Sequence, residues 1–312
     1  MDLELSDDQV ALRDGIASLL GGRFDAARIR AGFDRAMWDE LAAAGVFSLG
    51  ADGFGWADRV VVFEQLGEAC VPGPLVAGSL ANGLVAGVVG GVDRPRAGEP
   101  AMVEHLDRLD HLVVLDADGV WALDTAAVAL AGEPSPWPLD PLTPVTRVAA
   151  LPAGERIGGP DLAREWRRQG AVLTAAFALG LAQRCTGLAV AYASTRQQFD
   201  RPIGSFQAVK HLLADMLVRT EVARAAVYAT GAHLDDPDLP GLGRAVAGAK
   251  VVAGDAAVAN GKAATQVFGG MGFTWEVDVH LYLKRAWVLD THFGSADACA
   301  DEVFGTLTVS SG

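Results

Sequence analysis

Two stretches of this chain decide its reading: STRQQFDRPIGSFQAVKHLLADM, from Ser194 to Met216, and TQVFGGMGFTWEVDVHLYLKRA, from Thr265 to Ala286. Each sets a loop between helical patterns and fills it with residue types that a packed bundle does not need. In the first, Arg196, Gln198 and Phe199 precede a Pro-Ile-Gly break. Gln207 then opens a run in which Val209, Leu212, Leu213, Met216, Thr220, Ala223 and Val227 recur at helical intervals. In the second, Gln266 is followed by Gly269, Gly270, Gly272 and Phe273. Glycines let backbone approach a ligand closely, and cations with backbone N–H groups hold phosphates. Taken singly, the same residues read equally well as a helix C-cap, a solvated helix-end charge and core aromatics.

Outward from these stretches, the chain from Asp161 onward is helical in long units, interrupted near Thr195 to Ser205, near Asp235 to Gly241 and at Phe268 to Thr274. Patterning in Ala171 to Tyr192 and Gly243 to Val267, rich in Ala and Gly, predicts a C-terminal four-helix bundle with close helix approach. The N-terminal region is helical by pattern as well. Ser6 with Gln9 makes a capping box ahead of Val10, Ile16, Leu19 and Leu20. Further helices are predicted around Arg35 to Ala44, Trp56 to Cys70 and Leu75 to Val89, with Pro72 and Pro74 ending the middle one. Between Gly91 and about Gly159 the texture changes: HLVVLDADGVWALD alternates around the turn Asp116 to Gly119, and prolines punctuate Pro134 to Pro144. The predicted organisation is mainly α: an N-terminal helical domain over 1–90, a reduced middle β domain over 91–160 and a helical bundle over 161–312.

The 312 residues are 51% hydrophobic and 21% charged, with a formal net charge of -14. So apolar a chain predicts a surface that meets another subunit. Its acidic balance speaks against a general grip on nucleic acid or on an anionic membrane. Cys70, Cys185 and Cys299 are odd in number, far apart and without a CxxC pair, so neither a disulfide framework nor a metal site is indicated. MDLELSDDQVALRDG shows no signal or transit pattern, and the longest apolar stretch, near Leu80 to Gly91, is short for a bilayer span. A cytoplasmic location is the expectation.

Read jointly, the two quoted stretches resemble the acyl-CoA dehydrogenase family. An Arg three residues before a Phe, with a Gln eight beyond that Phe, is met by Arg196, Phe199 and Gln207. A Gln, two residues, Gly-Gly, one residue, Gly and an aromatic is met by Gln266, Gly269, Gly270, Gly272 and Phe273. The similarity continues through SDDQVALRDG and FEQLGEACVPGPL and covers nearly the whole chain except its centre. It implies an FAD cofactor, with Arg196 reaching the pyrophosphate, Phe199 packing on the cofactor, Gln198 and Gln207 beside them, and Gln266 with Gly269 and Gly270 holding the ADP portion. In the family these contacts reach a flavin seated mainly in a neighbouring subunit, so the resemblance also implies an oligomer.

Acyl-CoA dehydrogenation removes an α-proton while a hydride leaves the β-carbon, so a carboxylate must stand beside the α-carbon. In the commonest family pattern a Glu-Gly-Thr follows an Arg-Asp-Ala. Here Lys284-Arg285-Ala286 replaces Arg-Asp-Ala, and ungapped counting puts Phe293-Gly294-Ser295 where Glu-Gly-Thr is expected. The family's second solution, on the first bundle helix ahead of FALGLAQ, falls on Gly170. No base is assigned, and Glu165, Glu276, Asp290, Asp297 and His292 remain as neighbouring candidates. Asp200 stands where the family usually has Gly. No stretch between Gly91 and Gly159 resembles the family's Thr-Glu-Pro, Gly-Ser-Asp or Trp-Ile-Thr elements, which cradle the isoalloxazine.

This combination resembles the shortened subunits of actinobacterial heteromeric acyl-CoA dehydrogenases of steroid catabolism. It implies a subunit of an FAD-dependent acyl-CoA dehydrogenase that lacks its own base and completes the flavin site of a full-length homologue in a heterotetramer. The implied substrate is a bulky acyl-CoA thioester, with a steroid-derived acyl group as the leading case. Two other readings stay open: a self-sufficient homo-oligomer with an unusual base, and a flavin-free structural subunit.

Overall fold

The fold is that of a computed structural model, which describes residues 4–236 and 238–308. The Ser6 side chain accepts from the Gln9 N–H at 3.2 Å and the Ser6 N–H donates to Gln9 Oε1 at 3.1 Å, so the predicted capping box opens helix α1 (Asp7–Arg23). Short helices α2 (Ala26–Arg30) and α3 (Arg35–Ala43) follow, α3 being capped by the Asp34 carboxylate on the Met37 N–H at 2.7 Å. In α4 (Trp56–Glu68) every residue from Val60 to Gly67 is buried. Helix α5 covers only Leu75–Ala81, not the predicted Leu75 to Val89. A run of Leu, Val, Ala and Gly has no polar face to fix its period. Gly83 and Gly87, at φ +82° and +89°, decide instead for turns, and a strand begins at Val89, inside the region predicted as helical.

Strands β1 (Val89–Asp93), β2 (Ala101–Glu104), β3 (His111–Leu115) and β4 (Val120–Asp124) lead to a short helix α6 (Thr125–Leu130) and then to β5 (Gly132–Pro134), β6 (Val145–Val148) and β7 (Glu155–Gly158). They make a four-stranded sheet ordered β1-β3-β4-β7 and a three-stranded sheet ordered β2-β6-β5. The predicted hairpin is β3–β4, with Leu115 opposite Val120. Asp116 fixes its turn, accepting from the Asp118 and Gly119 N–H groups at 2.9 and 3.0 Å and from Arg94 Nε at 2.8 Å. Burial alone would raise this carboxyl, but the Trp121 and Arg94 side chains and the two backbone N–H groups outweigh it and bring the pKa down to about 2.

Helix α7 (Pro160–Thr195) is followed by a small hairpin, β8 (Gln197–Gln198) and β9 (Arg201–Pro202), and by α8 (Gln207–Asp235), α9 (Leu242–Phe268), α10 (Val279–Leu289) and α11 (Ala296–Thr308). Alpha7 is long and apolar enough to cross a membrane by length and composition, but 78% of its most apolar stretch is buried within the protein. Packing divides the chain otherwise than into consecutive domains 1–90, 91–160 and 161–312. One compact unit gathers the described residues up to Ala26, Gly55–Val71 and those from Ala171 on, and the other gathers Ala27–Phe54 and Pro72–Gly170. The second unit holds both larger sheets, and the core against the four-stranded one includes Val89, Val113, Leu115, Val120 and Trp166.

In the first unit the predicted bundle is larger than four helices, because α1, α4 and α11 join α7 to α10. Asn260 ties three of them at the centre: its Nδ2 donates to Met216 O at 2.9 Å, Thr220 Oγ1 at 3.0 Å and Thr186 Oγ1 at 3.2 Å. Where α4 meets α7, a Cβ on Gly67 would lie 2.0 Å from Phe177 O, and one on Gly180 would lie 2.0 Å from Glu64 O. The two helices therefore touch backbone to backbone. Beside this contact Glu64, only 2% exposed, accepts from Arg224 and from Tyr228 Oη at 2.5 Å, while Arg224 Nη2 donates to Gln183 Oε1 at 2.9 Å.

Gly180→Ala is expected to push α4 and α7 apart and to lower stability by about 3 kcal/mol. The measurement is the urea midpoint at unchanged slope. Because the Asp116 pKa is lower folded than unfolded, its contribution to stability is complete above about pH 4 and drains as pH falls towards 2. Acid unfolding of Asp116→Asn should lack that part of the wild-type decline.

Candidate functional site

The last turn of α7 hands the chain to the β8–β9 hairpin. The Arg196 N–H donates to Tyr192 O at 2.8 Å, and Arg196 O accepts from the Ile203 N–H at 2.8 Å. Gln197 and Gln198 pair with Pro202 and Arg201, leaving Phe199 and Asp200 as the turn, at φ +53° and +64°. A two-residue hairpin loop of this kind needs left-handed backbone at both positions, which glycine supplies freely and which Phe and Asp adopt at roughly 1–2 kcal/mol each. That accounts for Gly as the usual residue at the Asp200 position. The turn holds the Phe199 ring 85% exposed, supported from behind by Phe206, which meets it edge-on at 6.0 Å and carries the Arg201 guanidinium at 4.1 Å. The side chains of Arg196 and Asp200 have no partner among the described residues. Gln207 opens α8 with its Nε2 at 2.8 Å from His211 Nε2.

At the end of α9 the three predicted glycines serve three different purposes. Gly269 takes φ +63° and ψ -139°, a conformation reserved for glycine, and its N–H donates to Gln266 O. Gly272 allows close packing, since a Cβ there would lie 2.6 Å from Thr265 O. Gly270 has neither need: it is exposed, its φ is not positive, and a Cβ would meet nothing within 4 Å. Folding does not require glycine at that position, whereas a ligand lying against the backbone does. Tyr192 joins the two motifs, its ring stacking on Phe268 at 4.2 Å and its hydroxyl donating to Met271 Sδ at 3.7 Å. Arg196, Gln198, Phe199, Gln207, Gln266, Gly269 and Gly270 thus gather at one end of the bundle. They offer a free cation, an open aromatic ring, amides and bare backbone, a set that fits a phosphate-bearing aromatic cofactor.

The positions where a base is expected hold no carboxylate. Phe293 is half-buried at φ +52°, and a Cβ on the following Gly294 would lie 3.3 Å from Cys299 Sγ. This loop is pinned by buried Lys250, whose Nζ donates to Leu289 O at 3.0 Å and to Asp290 O at 3.1 Å. Burial lowers the Lys250 pKa against the opposing pull of the Asp290 carboxylate. Gly170 is buried within α7. Of the neighbouring candidates, Glu165, Glu276 and Asp297 are exposed, with Glu165 accepting from Gln169 Nε2 at 2.6 Å, and Asp290 and His292 are half-buried. Arg285 is 4% exposed, and its Nη1 donates to Val71 O at 3.3 Å. Sequence reading passed over Glu68, in the last turn of α4, whose carboxyl is pushed up by burial and then by Glu64, against Arg184 and Arg224. It lies within FEQLGEACVPGPL, but nothing in that stretch singles it out, because those neighbours come from three different helices.

In the sheet-bearing unit a cleft of about 590 Å³ is lined by His111, Asp124, Glu155, Leu84 and Ile157 among others. Its two carboxylates suit a polyphosphate ligand badly. Among the described residues no group of three or more His, Cys, Asp or Glu is placed to hold a metal ion.

Known proteins with the same features complete the picture. The family model described as acyl-CoA dehydrogenase, C-terminal domain, matches residues 159–302. Acyl-CoA dehydrogenase IpdE2 of Mycobacterium tuberculosis is 34% identical over 305 residues, covering 90% of this chain and 91% of the relative. This chain belongs to the acyl-CoA dehydrogenase family. Its fold is likewise that of acyl-CoA dehydrogenases: a chain of the ChsE4-ChsE5 complex from Mycobacterium tuberculosis superposes with a TM-score of 0.83 at 22% identity, covering 99% of each chain. A chain of the Tcur3481-Tcur3483 steroid ACAD G363A variant does so with a TM-score of 0.82 at 20% identity, covering 97% of this chain and 98% of that one.

For this acyl-CoA dehydrogenase chain, Gly269→Ala is expected to cost about 1–3 kcal/mol of stability through backbone strain alone. Gly270→Ala should leave the thermal midpoint unchanged. Paired melts of the two variants check both.

Proposed function

We propose that this chain is the flavin-completing subunit of an FAD-dependent acyl-CoA dehydrogenase, assembled with a full-length homologue that supplies the base. The observation that carries the reading is a combination. Arg196, Phe199 and Gly270 stand open at one end of the bundle, while ungapped counting along the sequence puts Phe293 and Gly170 at the two places where the family resemblance leads one to expect a carboxylate. FAD, when bound, accepts the hydride leaving the β-carbon of the acyl thioester. This chain holds rather than reacts. Arg196 offsets the pyrophosphate charge, the turn from Gly269 to Phe273 brings backbone against the ADP portion, and Phe199 shields it from water. A carboxylate of the full-length subunit takes the α-proton.

Heteromeric assembly is supported by the likeness in fold to chains of the ChsE4-ChsE5 and Tcur3481-Tcur3483 complexes. The description of the second as a steroid ACAD supports a bulky, steroid-derived acyl group. Three buried cysteines outside any disulfide suit a reducing compartment, which we take to be the cytoplasm.

Purification of this chain alone and together with a co-expressed full-length homologue tests the reading. Flavin colour and dehydrogenation are expected in the complex, and Arg196→Ala should weaken its FAD affinity at least about ten-fold. A yellow, dehydrogenating homo-oligomer of this chain alone would overturn it. The self-sufficient reading would then turn on Glu165, Glu276, Asp290 and His292, and unchanged turnover after replacing each in turn would remove them as the base.

A further inference from the structure

We infer that Tyr192 is a positioning residue of the flavin-contacting site, setting where the glycine turn stands relative to Arg196. This deepens the function proposed above and rests on it. The glycine turn takes its own shape from local causes: the Gly269 backbone, the packing of Gly272 on Thr265, and Thr274, whose N–H and Oγ1 both donate to Met271 O at 2.9 Å. The hairpin is equally self-contained, closed by the Ile203 N–H on Arg196 O and by the pairing of Gln198 with Arg201. Neither set of contacts fixes the distance between the two elements, which are carried by different helices with the whole of α8 between them in the chain.

Tyr192 touches both. Its ring lies on Phe268 at 4.2 Å with 18° between the planes, and its hydroxyl reaches Met271 Sδ at 3.7 Å, inside the glycine turn. Its carbonyl receives the Arg196 N–H at 2.8 Å. Arg196 is the first residue beyond α7, and this bond to the Tyr192 carbonyl sets where its backbone leaves the helix. A residue whose side chain grips the turn while its carbonyl holds the backbone of Arg196 converts two locally ordered loops into one site of fixed spacing. A pyrophosphate held between them is sensitive to displacements of the order of 1 Å.

The test uses the complex with the full-length homologue, titrated with FAD by flavin fluorescence and followed in parallel by amide hydrogen exchange. Tyr192→Phe keeps the stack and should bind FAD within about two-fold of wild type, whereas Tyr192→Leu should bind about ten-fold more weakly. In Tyr192→Leu, exchange should quicken both at Gly269 to Thr274 and at Arg196 to Ile203. Should Tyr192→Leu fail to assemble, Phe268→Leu removes the same stack from the other side, with the same expectations. An FAD affinity within about two-fold of wild type in a folded Leu variant, or quickened exchange in only one element, would overturn the inference. A wild-type complex that takes up no FAD would instead sink the proposed function, and the exchange pattern would then decide the role of Tyr192 by itself.

Discussion

Direct backbone contact between α4 and α7, made possible by Gly67 and Gly180, is the constraint on which the bundle depends. With no side chains between them, the helices have one register at which they can meet, since sliding either would bring a Cβ into a carbonyl oxygen. That register places Glu64 beneath Arg224 and Tyr228, so α8 is held by a buried, paired carboxylate. Removing one partner of such a pair costs about 3–5 kcal/mol, because the other charge stays behind unpaired. Burial and then Glu64 push the Tyr228 hydroxyl upwards, and it serves as a hydrogen-bond donor throughout the ordinary pH range. Alpha7 then carries this orientation to its far end, where Tyr192 and Arg196 stand.

What was legible in the sequence is what a few neighbouring residues determine among themselves. Ser6 and Gln9 announce α1, the Asp116 to Gly119 turn announces the β3–β4 hairpin, and the spacing from Arg196 to Gln207 and from Gln266 to Phe273 marks the residues that meet at one end of the bundle. What was not legible depends on contacts between distant segments. The end of α5 at Ala81 is decided by two left-handed glycines in a run that reads as continuous helix. The division into two interleaved units follows from α4 packing with helices more than a hundred positions later, and the Glu64 cluster exists only once they are assembled. The motif residues were readable, yet the reasons for them were not. Strain, close packing and open space at Gly269, Gly272 and Gly270 look identical as letters.

Under the proposed function, chemistry is divided between chains. The elements around Arg196 are conspicuously open, with an aromatic ring left in solvent by a strained turn and a guanidinium that has no counter-ion among the described residues. Such groups are costly or idle in isolation and become useful against a ligand or a neighbouring surface. Around Phe293 the design is the reverse: an apolar side chain, a tight glycine and a buried lysine close the loop on itself.

Helix α9 links these two regions as a rigid rod. Lys250, which pins the loop ahead of Phe293, and Gln266, which opens the glycine turn, stand sixteen residues apart on it, roughly 24 Å along its axis. The loops at the two ends are held by separate contacts, so a substitution in one removes none of the contacts that shape the other. An ancestral enzyme could lose its proton-abstracting carboxylate without loosening its hold on a neighbour's cofactor, and the two properties could thereafter be inherited separately. In a gene-duplicated pair, that independence is enough for one copy to abandon chemistry and remain indispensable.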